Sequence, residues 1–112
     1  MANLPSHVAI IGAGNMGTGL AVQFARHGAS ATVIDHRESN LEAARETITE
    51  AISFLETEGK LTVEPGAIRE SIDYTLDTAA GVGGTDLVIE TVSEDRKIKR
   101  AVFETVVAAA PD

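Results

Sequence analysis

The chain has 112 residues, the length of one domain, and its 44% hydrophobic content is that of an ordinary globular protein. Nine basic residues against 17 acidic ones leave a formal charge of −8, which argues against non-specific nucleic-acid binding. There is no cysteine, so disulfides, thiolate metal sites and a cysteine nucleophile are excluded, and no apolar run approaches the ~18 residues of a membrane-spanning helix.

Met1 to Ser6 carries neither a basic region nor a hydrophobic segment, so no signal peptide is expected and a cytoplasmic location is. Val8 to Ile11 is a short apolar run with β-branched residues, which predicts a buried parallel strand. Gly12-Ala13-Gly14-Asn15-Met16-Gly17 follows at once and fits G-x-G-x-x-G. A helix comes next, with Met16, Leu20, Ala21 and Phe24 expected on one face and Gly28 as its C-terminal stop. A second apolar strand, Ala31 to Ile34, ends in Asp35.

Glycines at this spacing also serve simply to shape a turn. Here a strand, a helix, a second strand and a terminal acid all stand in register with them, and that setting points to dinucleotide binding. Gly12 allows the tight turn, Gly14 lets the backbone approach a pyrophosphate, and Gly17 lets the helix pack hard on the strand. The pyrophosphate would sit at the helix N-terminus, before free N–H groups and the positive end of the dipole. Asp35 lies 18 positions after Gly17, placed to accept a hydrogen bond from a ribose 2′-hydroxyl and to repel a 2′-phosphate. NAD is therefore expected over NADP, although Arg37 is a cation that could answer a phosphate.

Ser39-Asn40-Leu41-Glu42 reads as a capping box, with Ser39 capping and Glu42 reaching back. Leu41, Ala44, Ile48, Ala51, Ile52 and Leu55 then recur at spacings of three and four. They predict an amphipathic helix of about 18–20 residues stopped by Gly59. Pro65 opens a short helix, Ile72 to Leu76 alternates as a third strand, and Thr78 to Thr85 reads as a loop or a single helical turn. Asp86 to Thr91 is a fourth strand, and Ser93 is placed to cap a last helix with Glu94 and Asp95 in its first turn. The order β-α-β-α-(α)-β-β-α implies a parallel sheet covered on both faces, with strand order 3-2-1-4. The expected fold is thus α/β, a partial Rossmann-type sheet within one domain over residues 1–112. The cofactor crevice then lies between the first and fourth strands at their carboxyl ends, so residues from Thr91 to Lys99 face the same crevice as Gly12 to Gly17.

The segments IIGAGNMGTGLAVQFARHG, VID and DLVIETVSEDRKIKRAVF, with the long helix between them, resemble the N-terminal NAD-binding domain of the L-3-hydroxyacyl-CoA dehydrogenase family, 3-hydroxybutyryl-CoA dehydrogenases included. The resemblance runs from about His7 to Pro111. It implies reversible oxidation of a 3-hydroxyacyl-CoA to a 3-ketoacyl-CoA with hydride passing to NAD. Gly12, Gly14 and Gly17, with the backbone of Asn15 and Met16, would hold the pyrophosphate, and Asp35 the adenosine ribose. Glu94 and Lys99 match family positions near the nicotinamide. The bland alternatives are a helix N-terminal acid for Glu94 and a solvated helix residue for Lys99.

The family's general base is a His oriented by a Glu, and both fall past the last residue of this sequence. So do a substrate-contacting Ser and Asn, and the helical C-terminal domain that forms the dimer. The chain is therefore expected to lack catalytic residues of its own, to be inactive alone, and to belong to a homo-oligomer with acyl-CoA as substrate. Its histidines, His7, His27 and His36, are expected at the surface, and no metal-ligand cluster is seen. Glu50, Glu56 and Glu58 line the region where the family takes CoA contacts, with only Lys60 basic, which weakens the case for CoA. Other NAD-dependent hydroxy-acid dehydrogenases, of the gulonate or hydroxyisobutyrate type, share the glycine segment. FAD also suits the glycines, although flavoproteins prefer Glu where Asp35 stands. A non-catalytic nucleotide-binding or assembly module is the remaining reading.

Overall fold

The computed structural model describes residues 5–91. The chain runs β1 (His7–Ile11), α1 (Asn15–Arg26), β2 (Ser30–Ile34), α2 (Glu38–Thr57), α3 (Pro65–Glu70), β3 (Ile72–Thr75), α4 (Thr78–Val82) and β4 (Leu87–Glu90). All strand pairs are parallel, in one sheet of order β3-β2-β1-β4, the order expected from alternating strands and helices. The chain steps outward from β1 to β2 to β3, then returns to the other side of β1. The order therefore reverses between β1 and β4. The last helix expected from the sequence lies outside the described residues.

β1 is buried on both faces, as its unbroken apolar run requires. Val8 and Ile10 join the core formed with α1, α2 and α3. Ala9 and Ile11 face the other way, against Ile34 and Val82, with Val88 packed alongside. Helices thus cover both faces. The two ends of the sheet are pinned by acids. At the amino end, the Asp86 carboxylate accepts from the N–H groups of Ser6 (2.8 Å) and His7 (3.0 Å), which sets β4 against β1. At the carboxyl end stands Asp35.

α2 is the long helix that the spacing of three and four predicts, and Leu41, Ala44, Ile48 and Ile52 are its buried stripe. Its end is a Schellman turn: Lys60 N–H bonds Leu55 C=O and Gly59 N–H bonds Glu56 C=O. Arg45 on α2 lies 4.2 Å from the centre of the Tyr74 ring on β3. Burial pushes the Tyr74 phenol pKa up, with the Arg45 charge pulling against it.

Local expectations fail in three places. The buried face of α1 is Gly17, Thr18, Ala21, Val22 and Ala25, while Leu20 and Phe24 are half-buried and Met16 is 70% exposed. Small residues occupy the inner face because the helix presses directly on β1, and the larger apolar ones stand at its flanks. The capping box does not form. Arg37 is the N-cap of α2, with no side-chain cap, and Ser39 sits inside the helix. β3 ends at Thr75, leaving Leu76 half exposed outside it. Of the two forms expected for the segment after it, the single helical turn is the one that forms, as α4, because Asp77 caps it by accepting from Ala80 N–H at 3.1 Å.

Candidate functional site: the glycine turn and the tip of the second strand

The turn after β1 is tied into both neighbouring strands. Gly12 has φ of 117°, a conformation that L side chains rarely adopt, and its N–H donates to Ile34 C=O at 2.7 Å. On the other side, Thr91 N–H donates to Ile11 C=O at 2.7 Å, and the Thr91 hydroxyl lies 3.0 Å from the same oxygen and 3.4 Å from Gly12 C=O. The glycine turn is therefore clamped at the switch point between β1 and β4.

Gly17 packs where no side chain fits. A Cβ there would overlap the Gly12 carbonyl oxygen and come within 3.3 Å of Ile10 Cγ2. Gly14 is the opposite case. Its φ of −79° suits any residue, and a Cβ there would meet nothing within 4 Å. Nothing among the described residues calls for glycine at 14. The space in front of it is open.

That open space faces the N-terminus of α1. Gly14 is the N-cap and supplies no side-chain bond, and the first turn holds no acid. The N–H groups of Asn15, Met16 and Gly17 find no acceptor among the described residues, because the first intrahelical bond is Thr18 N–H to Gly14 C=O at 2.9 Å. Uncapped N–H groups and the positive end of the helix dipole attract an anion. A backbone that lacks a Cβ at the same spot lets it approach closely.

Asp35, just past β2, turns its carboxylate into this turn. Oδ2 accepts from Ala13 N–H at 3.1 Å. Oδ1 accepts from Arg37 N–H at 3.1 Å and from Asn40 Nδ2 at 2.9 Å, and lies 3.4 Å from His36 Nδ1. The side chain is 10% exposed. The acid is thus joined to the glycine turn through Ala13, and to the start of α2 through Arg37 and Asn40. Arg37 itself is exposed.

Six of the residues singled out in the sequence therefore come together: Gly12, Gly14, Asn15, Met16, Gly17 and Asp35. Glu94 and Lys99 lie outside the described residues. His7, His27 and His36 are all exposed, and only His36 is near the site. Among the described residues no group of His, Asp and Glu is arranged to hold a metal. Glu50, Glu56, Glu58 and Lys60 are exposed along the end of α2. Thr91 stands at the crevice, where the sequence put it, and bonds the turn through its hydroxyl. Two contributors escaped the sequence reading: the Ala13 N–H and the Asn40 carboxamide. Each acts across elements distant in sequence or at a helix start that the capping-box pattern misplaced.

Comparison with known proteins agrees with this architecture. The family model described as the NAD-binding domain of 3-hydroxyacyl-CoA dehydrogenase matches residues 7–112. The 5-formyl-3-hydroxy-2-methylpyridine 4-carboxylate 5-dehydrogenase of Mesorhizobium japonicum is 36% identical over 89% of this chain and 32% of its own length. The mitochondrial hydroxyacyl-coenzyme A dehydrogenase of Rattus norvegicus is 33% identical over 90% of this chain and 34% of its own. The crystal structure of M. tuberculosis FadB2 superposes with a TM-score of 0.89 at 30% identity, covering 98% of this chain and 39% of that one. The chain spans about a third of the length of the curated relatives it matches. With a family match over nearly all its residues, a Rossmann-type sheet of order 3-2-1-4 and an open glycine turn at the switch point, the chain belongs to the NAD-binding domain family of the 3-hydroxyacyl-CoA dehydrogenases.

Proposed function

We propose that this chain is the cofactor-holding part of an enzyme that oxidises a 3-hydroxyacyl-CoA, with NAD as hydride acceptor. The N–H groups of Asn15, Met16 and Gly17 bind the pyrophosphate in the space left by Gly14. Gly12 and Gly17 hold the turn in shape, and Asp35 accepts a hydrogen bond from the adenosine ribose through Oδ2. NAD supplies the hydride-accepting nicotinamide, while the protein binds and orients it. Glu94 and Lys99 are assigned to the nicotinamide end by the family resemblance alone. The observation that carries the reading is the direct bond between Asp35 Oδ2 and the Ala13 N–H, which joins the ribose-reading acid to the pyrophosphate turn.

Charge supports NAD over NADP, since a 2′-phosphate would face the Asp35 carboxylate. A fluorescence titration of the 112-residue chain with NADH and with NADPH tests this. NADH is expected to bind at least about tenfold more tightly, a difference of about 1.4 kcal/mol. Equal affinities would refute the Asp35 assignment. The same chain is expected not to turn over 3-hydroxybutyryl-CoA, because its three histidines include no candidate for the proton acceptor of the hydroxyl.

A second reading keeps NAD and changes the substrate. The relative from Mesorhizobium japonicum is named for a pyridine carboxylate, not a CoA ester. The exposed Glu50, Glu56 and Glu58 favour this reading, because they would repel CoA phosphates. Binding of CoA to the chain in the presence of NADH would speak for the first reading and against this one.

A further inference from the structure

Asp35 has fewer free acceptor positions than a ribose-binding acid would be given by its sequence alone. A carboxylate offers about four lone-pair sites. Arg37 N–H and Asn40 Nδ2 occupy Oδ1, and Ala13 N–H occupies one site on Oδ2. One position on Oδ2 remains, on the oxygen bonded to the glycine turn. Arg37 and Ala13 donate through backbone that the helix start and the turn already fix. Among the described residues, Asn40 is the one side chain that hydrogen-bonds the carboxylate, with the exposed His36 Nδ1 farther off at 3.4 Å from the same Oδ1. A carboxylate only accepts, so the amide nitrogen must be the end that faces it.

We infer that Asn40 is a positioning residue for cofactor recognition: by donating to Oδ1 of Asp35, it keeps Oδ2 as the oxygen presented to the adenosine ribose, and so sets how strongly the site reads the 2′-hydroxyl. The inference rests on the proposed role of Asp35. Without the Asn40 donor the carboxylate keeps only the Ala13 and Arg37 N–H bonds, and its remaining lone pair is aimed less firmly. Asn40 occupies the third position of α2, and its N–H belongs to the helix start, bonding Arg37 C=O at 3.1 Å. Replacing the side chain therefore leaves the backbone pairing of that turn in place.

The test compares NADH with the analogue that lacks the adenosine 2′-hydroxyl, on the native chain, Asn40→Leu and Asn40→Ala. The Leu variant keeps much of the bulk and the Ala variant does not, and both remove the donor without setting a charge beside the Asp35 carboxylate. The native chain is expected to prefer NADH by about tenfold or more, the scale of a hydrogen bond to a charged group. In both variants that preference is expected to shrink by about threefold or more, through weaker NADH binding, with the affinity for the deoxy analogue and the melting temperature little changed. A merely structural role for Asn40 would weaken both ligands alike. An unchanged preference in folded variants would overturn the inference and leave Asp35 as the ribose ligand. No preference in the native chain itself would overturn the Asp35 assignment and this inference with it.

Discussion

The two ends of α1 are built in opposite ways. At the C-terminal end, Gly28 N–H bonds Ala25 C=O and Ala29 N–H bonds Phe24 C=O, so the last carbonyls are closed off by a Schellman turn. At the N-terminal end there is no side-chain cap and no acid, and the N–H groups of Asn15 to Gly17 are left without acceptors among the described residues. A helix start is usually closed by Ser, Thr, Asp or Asn, and a Gly N-cap in their place, as Gly14 is here, costs roughly a few tenths of a kcal/mol. The closed end serves stability alone. The open end gives up local stability and keeps donors ready for an anion. The same helix thus separates the two demands by about its own length.

Substitutions at the two ends should separate them experimentally. The largest effect is expected from Gly17→Ala. Its new Cβ meets the Gly12 carbonyl oxygen, which is backbone and cannot swing aside. The turn must shift, at a cost of about 1–3 kcal/mol in stability, and NADH binding should be lost with it. Chemical denaturation together with an NADH titration measures both. Unchanged binding at Gly17→Ala would remove the close packing from the account. A smaller effect, confined to stability, is expected at the closed end. Gly28 has φ of 100°, so Gly28→Ala should cost about 1–2 kcal/mol, with NADH affinity unaltered. A fall in affinity there would show that the two ends are not independent.

Much of this was legible in the sequence because it is local. The run from His7 to Asp35 contains a strand, a turn, a helix and a strand, each marked by its own residues, and the sheet order follows from right-handed crossovers. What was misread involves competition between local pattern and tertiary contact. Ser39 and Glu42 have the spacing of a capping box, yet Arg37 is the N-cap, where the Asp35 carboxylate takes its N–H. Met16 is apolar and was placed on the inner face of α1, yet the inner face needs small residues to approach β1, and Met16 stands outside beside the open turn. The Asn40 contact depends on where α2 starts relative to the glycine turn, and no spacing along the chain encodes that. The threefold engagement of Asp35 also changes how it should be tested. Asp35→Ala would strip an acceptor from Ala13, Arg37 and Asn40 at once, so a loss of binding would not distinguish ribose recognition from a disturbed turn.

The most direct measurement is an NADH titration of Gly14→Ala beside the native chain, with the melting temperature of each. Gly14 has ordinary backbone angles and open space around its missing Cβ. The weaker N-cap and the stiffer unfolded chain should nearly cancel, leaving stability within about 0.5–1 kcal/mol. If the pyrophosphate occupies that space, the added methyl should weaken NADH binding by about tenfold or more, or about 1.4 kcal/mol, at an unchanged melting temperature. Native affinity in Gly14→Ala would contradict the account, because the open end of α1 would then not be where the cofactor lies.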